Sequence, residues 1–103
     1  MNKCIFLGKL THQPAVEIDQ DTGTPMLVFE LEIEEFRRDK VGNKKRTLTL
    51  LQFEAWDTAA LTIEKYACER DLMSVESSAR SSYIDGQEYD FTYFRVTSFK
   101  ILS

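Results

Sequence analysis

The feature that most constrains this chain is a strict alternation in residues 26–36. Leu27, Phe29, Leu31 and Ile33 alternate with Val28, Glu30, Glu32 and Glu34. Successive side chains of an extended chain point to opposite faces, so a period of two makes one face core and turns the other outward. Residues 47–56 read the same way. Leu51, Phe53 and Ala55 share the inner face, and Leu50, Gln52, Glu54 and Trp56 share the other. Gly42-Asn43 turns the chain between the two strands.

The remaining segments supply partners for this pair. Residues 4–10 read as a strand with Gly8 at a bend or bulge. Pro14 and then Asp21-Thr22-Gly23-Thr24-Pro25 mark a turn before Met26. Asp57-Thr58 offers an N-cap, and 59–68 suits a helix whose stripe is Ala60, Ile63 and Ala67 with Tyr66 beside them. It ends near Glu69-Arg70-Asp71 without a glycine cap. Residues 72–83 form a strand interrupted by the polar Ser77-Ser78, and Asp85-Gly86 a hairpin turn. A last strand runs from Glu88 to Leu102, rich in aromatic and β-branched residues. Three strands, one helix and two strands is the order of an all-β, five-stranded OB-fold, a Greek-key barrel with one helix between strands 3 and 4 that plugs one end. The fold by itself narrows function only to a binding module.

Length and composition exclude other classes. The 103 residues allow one domain, spanning 1–103. Hydrophobic residues at 43% and charged residues at 29% exclude disorder. No apolar run approaches the roughly 18 residues of a membrane span. Met1-Asn2-Lys3-Cys4 opens no signal peptide, because Gly8 and Lys9 end the apolar stretch. A cytoplasmic protein is expected, or a plastid one if a transit peptide has been removed. Cys4, Cys68 and His12 show no CxxC or HxxxH spacing, so neither a metal nor a cofactor is expected. The two cysteines read as reduced, small, buried or half-buried thiols. No carboxylate pair stands out, so the chain is not read as an enzyme and no small-molecule substrate is expected.

The net charge of −4 conceals an asymmetry: residues 37–46 hold six of the thirteen cations and one acid, while residues 15–35 hold seven acids and no Lys or Arg. The basic segment is either an anion-binding element or a solvated hairpin tip.

Asn2-Lys3-Cys4-Ile5-Phe6-Leu7-Gly8-Lys9-Leu10-Thr11, followed by Pro14, resembles the opening of bacterial single-stranded DNA-binding proteins. Phe29-Glu30-Leu31-Glu32-Ile33 is similar to that family's alternating second strand, and Phe53-Glu54-Ala55-Trp56 to its apolar strand ending in an aromatic before the helix. Tyr83-Ile84-Asp85-Gly86 and 94–102 resemble its last hairpin and final strand. The resemblance covers essentially the whole chain. It implies a homo-oligomer, dimer or tetramer, that wraps single-stranded DNA without sequence preference in replication, repair or recombination, associated with the nucleoid. Aromatics stack on bases while a basic groove follows the backbone. Trp56 and Tyr83 fall on stacking positions of the family, and Phe36 lies one position from a third. Arg37, Arg38, Lys40, Lys44, Lys45 and Arg46 fall in the basic loop that would neutralise phosphates. Cys4, Ile5 and Phe6 match the strand that pairs across the family's dimer axis. Each aromatic also has a packing reading: Trp56 over the helix start, Tyr83 in an interface or hairpin, Phe36 as a hairpin anchor.

The chain also departs from the pattern. Glu30, Glu32 and Glu34 replace small polar residues and Glu54 joins their face, a row expected to repel phosphate. Leu50 stands where some members carry another aromatic, and Ser77 where a glycine is usual. No Gly/Pro-rich linker or acidic tip follows the last strand. In the family that tip recruits replication and repair proteins, so either it has been trimmed or this is a short variant that does not recruit them in that way. The acidic stripe suits a second reading, a divergent protein-interaction or primosome-type assembly module with weak or no DNA binding.

Overall fold

The computed structural model describes the backbone of residues 1–84 and 87–103, and the side chains of 1–81 and 92–103. The expected Asp85-Gly86 turn lies outside the described residues. The strands are β1 (Cys4–Leu10), β2 (Glu17–Ile18), β3 (Pro25–Arg38), β4 (Lys44–Trp56), β5 (Leu72–Ile84) and β6 (Gln87–Ile101), with helix α1 (Thr58–Tyr66) between β4 and β5. The sheet order β1-β5-β6-β4-β3-β2, with a further β1–β3 pairing, closes the five long strands into a barrel. It is the expected OB-fold. The two-residue β2, not anticipated, pairs with β3 through Glu17↔Met26 and Ile18↔Pro25. Its turn is locked by Asp19, whose Oδ2 accepts from the Thr22 amide and hydroxyl, and by Gly23 at φ 72°.

The alternation fixes the core. Leu27, Leu31 and Ala55 are fully buried, and Phe29 and Phe53 nearly so. Phe53 stands at the centre of an aromatic cluster. Its ring lies 5.2 Å from Phe29, 5.6 Å from Phe6 and 5.6 Å from Phe94. It also belongs to one of the two narrow seams of the barrel, the other being β1–β3. β4 and β6 run parallel and pair only through Phe53↔Phe94 and Glu54↔Arg95.

Gly8 serves the closure rather than a bend. β1 leaves β5 and meets β3 at Lys9↔Glu32 and Leu10↔Leu31. A Cβ at position 8 would lie 2.8 Å from the Glu32 carbonyl oxygen and 3.0 Å from Ile33 Cγ1. Only a residue without a side chain lets the two backbones approach that far.

Helix α1 packs on β3, β4 and β6 through the buried Ala60 and Ile63, with the buried Ala67 just after it. It is shorter than expected at its C-terminal end. Ala67 turns extended, and Arg70 takes the left-handed position at φ 73° that a glycine would usually fill. The Arg70 amide donates to the Leu10 carbonyl at 2.7 Å, strapping the helix exit to β1. Tyr66, beside the apolar stripe, is exposed. Asp57 occupies the N-cap position with its carbonyl accepting from Leu61, but at φ 56° its side chain makes no cap bond. Ser77 and Ser78 are buried within β5, where the register with β6 shifts between Glu76 and Ser77. Both cysteines are free; Cys4 is half-buried and Cys68 is exposed, contrary to its expected burial.

Candidate nucleic-acid interface

β3 and β4 pair without interruption from Met26↔Trp56 to Arg38↔Lys44. Opposed residues of an antiparallel pair share a face. The outer face therefore runs through Trp56, Glu54, Gln52, Leu50, Leu48, Arg46 and Lys44 on β4, beside Val28, Glu30, Glu32, Glu34, Phe36 and Arg38 on β3. At about 3.3 Å per residue, Arg46 stands about 33 Å from Trp56 along the strand.

The strands outrun the barrel, so the basic segment is the far end of a long arm with a tip at 39–43. The tip is folded. Asp39 Oδ1 accepts from the Val41 and Asn43 amides, and Arg38 donates to the Gly42 carbonyl at 2.9 Å. Gly42, at φ 87°, supplies the turn. The predicted cations divide between the faces. Arg38, Lys44 and Arg46 share the outer face with Phe36, Arg37 and Lys45 pair on the opposite one, and Lys40 lies in the tip. Phe36 is about half exposed, with the Lys44 ammonium 4.2 Å from its ring centre. A cation over an aromatic face holds both groups in a fixed relation. Trp56 is half-buried at the other end of the face. The Tyr83 side chain lies outside the described residues.

The carboxylate row is not bare. Arg46 Nε donates to Glu34 at 2.7 Å, Arg70 to Glu32 at 2.8 Å and Arg95 to Glu54 at 3.2 Å. Glu30 accepts from Thr11 at 2.9 Å and from Gln52 at 2.7 Å. Glu54 also accepts from the Trp56 indole N–H. The hydrogen bond from Arg70, the largest influence, holds the Glu32 carboxyl below its ordinary value of 4.5. A carboxylate whose pKa falls on folding adds stability that is complete above the ordinary value and is lost as pH falls through the folded one. The pair is therefore intact across neutral pH.

Sequence reasoning missed Arg70 and Arg95 as members of this face. Alternation could have found Arg95, which lies between the inward Phe94 and Val96. Arg70 carried no such signal, because it reaches Glu32 from the turn after the helix.

The profile of the single-strand binding protein family matches residues 1–100. The chain is 29% identical over 103 residues to Single-stranded DNA-binding protein 2 of Streptococcus agalactiae, an alignment covering 98% of this chain and 76% of that protein. Its fold is similar to that of a Plasmodium falciparum SSB in complex with ssDNA, with a TM-score of 0.86 at 20% identity over 100% of this chain and 96% of that one. It is also similar to a deletion mutant of the Thermus aquaticus single-stranded DNA-binding protein, with a TM-score of 0.84 at 18% identity over 100% of this chain and 51% of that one. A small single-stranded DNA-binding protein from Streptomyces coelicolor gives a TM-score of 0.69 at 16% identity, over 98% of this chain and 95% of that one.

Proposed function

The chain belongs to the single-strand binding protein family, and from that premise we propose that it binds single-stranded DNA without sequence preference along the outer face of β3 and β4. The observation that carries this reading is the continuity of the face, from a half-buried indole to a basic arm bearing a half-exposed aromatic. Trp56 and Phe36 stack on bases, Tyr83 joins them, and Arg37, Arg38, Lys40, Lys44, Lys45 and Arg46 neutralise phosphates. Stacking tolerates every base, because each has a π face, and contributes about 1–3 kcal/mol per base. The length of the face suits the roughly 4–16 nucleotides bound per OB-fold. Such a protein covers single strands in replication, repair or recombination. No described helix is long and apolar enough to cross a membrane.

The test is anisotropy of labelled oligonucleotides at several salt concentrations. Oligo(dT) and a mixed-sequence strand should bind with similar affinity, and both far more tightly than the duplex. A strong preference for one sequence, or for the duplex, would overturn the proposal.

The glutamates set the strength of this binding. Each Glu–Arg pair withholds a cation from phosphate. Replacing Glu30, Glu32 and Glu34 with Thr should strengthen binding, most at low salt where charges are least screened. The same anisotropy titration reads this out, and unchanged affinity would place these residues outside the path of the DNA.

The reading extends to assembly with a second copy. β5 pairs with β1 from Cys4 to Lys9, whereas β3 meets β1 only at Lys9 and Leu10. The other edge of Cys4–Leu7 thus has no strand beside it among the described residues. Ile5 and Leu7 on the outer face are 67% and 53% exposed. An apolar strand edge of this kind favours pairing with another strand. Light scattering at micromolar concentration should give a dimer or tetramer mass, and a monomer would remove this part of the proposal.

A further inference from the structure

Beside Trp56 lies a pocket of about 400 Å³ lined by Thr22, Thr24, Trp56, Asp57 and Arg95. Arg95 is the only cation of that lining among the described residues. Its guanidinium is poorly used. Nη2 reaches Glu54 at 3.2 Å, against 2.7 Å for Arg46–Glu34 and 2.8 Å for Arg70–Glu32. Charge-assisted N–H···O bonds usually measure about 2.7–2.9 Å, so this is the loosest of the three. Nε is buried and has no hydrogen-bond partner among the described residues. The single Glu54 oxygen that holds Arg95 also accepts from the Trp56 indole. A guanidinium presents a planar fork that matches two oxygens at once, and here only Nη2 is engaged among the described residues.

We propose that Arg95 binds the phosphate of the nucleotide seated on Trp56, and that Glu54 is the internal anion it leaves when DNA enters. This rests on the single-stranded DNA-binding reading and adds to it a phosphate contact far from the basic arm. A phosphate offers two oxygens to the fork, so the exchange replaces a long single bond with a bidentate pair. Asp57, the carboxylate of the same pocket, repels phosphate, so among the described lining residues Arg95 is the cationic donor that can hold it. Glu54, once released, keeps the indole N–H and with it the orientation of the ring.

A double-mutant cycle tests this, with oligo(dT) of roughly 16 nucleotides as probe. R95Q should weaken binding on the order of tenfold and flatten the slope of log affinity against log salt by up to about 0.7. R95K, which keeps the charge, should retain most of the slope. E54Q should tighten binding several-fold and steepen the slope, because no carboxylate competes for Arg95. R95Q in the E54Q background should abolish that gain. Thermal melts identify any variant that has lost its fold, and for such a variant the R95K and E54Q results decide. If the parent protein binds but R95Q and E54Q leave affinity and slope unchanged, Arg95 is no phosphate ligand while the broader reading stands. If the parent does not bind oligo(dT), both fall.

Discussion

Replacing Arg37, Arg38, Lys44 and Lys45 together with alanine is expected to lower affinity for single-stranded DNA by about two to three orders of magnitude near 0.1 M salt. Each phosphate contact on a single strand adds about 0.7 to the slope of log affinity against log salt, so four lost contacts flatten it by up to about 2.8. That figure is an upper bound, because Arg37 and Lys45 lie on the face opposite the proposed path and some of these cations already have internal partners. Lys45 lies 3.9 Å from Asp39, and Arg38 donates to the Gly42 carbonyl. The arm projects past the barrel and its cations are exposed, so the melting transition should move little, as for most surface substitutions. Loss of binding with an unchanged melt assigns the arm to the DNA. An unchanged salt slope would show that it is only a solvated tip.

Phe53→Ala should be the most damaging single change to the fold. Phe53 is 1% exposed and lies within 5.2–5.6 Å of three other aromatic rings. Truncating a buried Phe costs about 3–5 kcal/mol, a large part of the roughly 5–15 kcal/mol that holds a domain folded. The site makes collapse of the cavity difficult. Phe53↔Phe94 is one of two residue pairs joining β4 to β6, so the strands cannot draw together without opening the seam. A fall in Tm of at least about 12 °C is expected by calorimetry. A shift of a few degrees would mean that the seam is held by Glu54–Arg95 and the backbone instead. Phe53→Leu, closer in size, should lose much less.

How much of this was legible depended on where each residue's role resided. The barrel could be read because Leu27, Phe29, Leu31, Phe53 and Ala55 encode their faces in a local period of two, and strand order follows from element order. The helix boundaries could be read less well. The chain leaves α1 early because the Arg70 amide reaches Leu10, a contact across 60 positions of sequence that no local pattern records. Gly8 stands out in its strand, but the reason does not: its neighbour is the Glu32 carbonyl of another strand, which becomes adjacent only once the barrel closes. β2 is two residues long, too short for any periodicity.

The site divides in the same way. The basic arm and Trp56 stand out in the sequence as a cluster of like charge and a lone tryptophan. The partners of the glutamates do not, since Arg70 and Arg95 lie 38 and 41 positions from Glu32 and Glu54. The alternation showed four carboxylates on one face, which suggested a bare acidic stripe. The fold brings an arginine to three of them and two neutral donors to the fourth. Arg46 comes from the partner strand of the same hairpin, but Arg70 and Arg95 come from elements that the local sequence does not contain.

The most direct measurement uses the protein's own reporter. Trp56 is the only tryptophan in the chain, so its emission reports on one end of the proposed path and nothing else. Titration with oligo(dT) at low salt should quench that emission saturably, and added salt should reverse the quenching as phosphate contacts are lost. Emission unchanged by oligonucleotide, in a protein shown to be folded by its melt, would contradict the claim that single-stranded DNA lies along the outer face of β3 and β4.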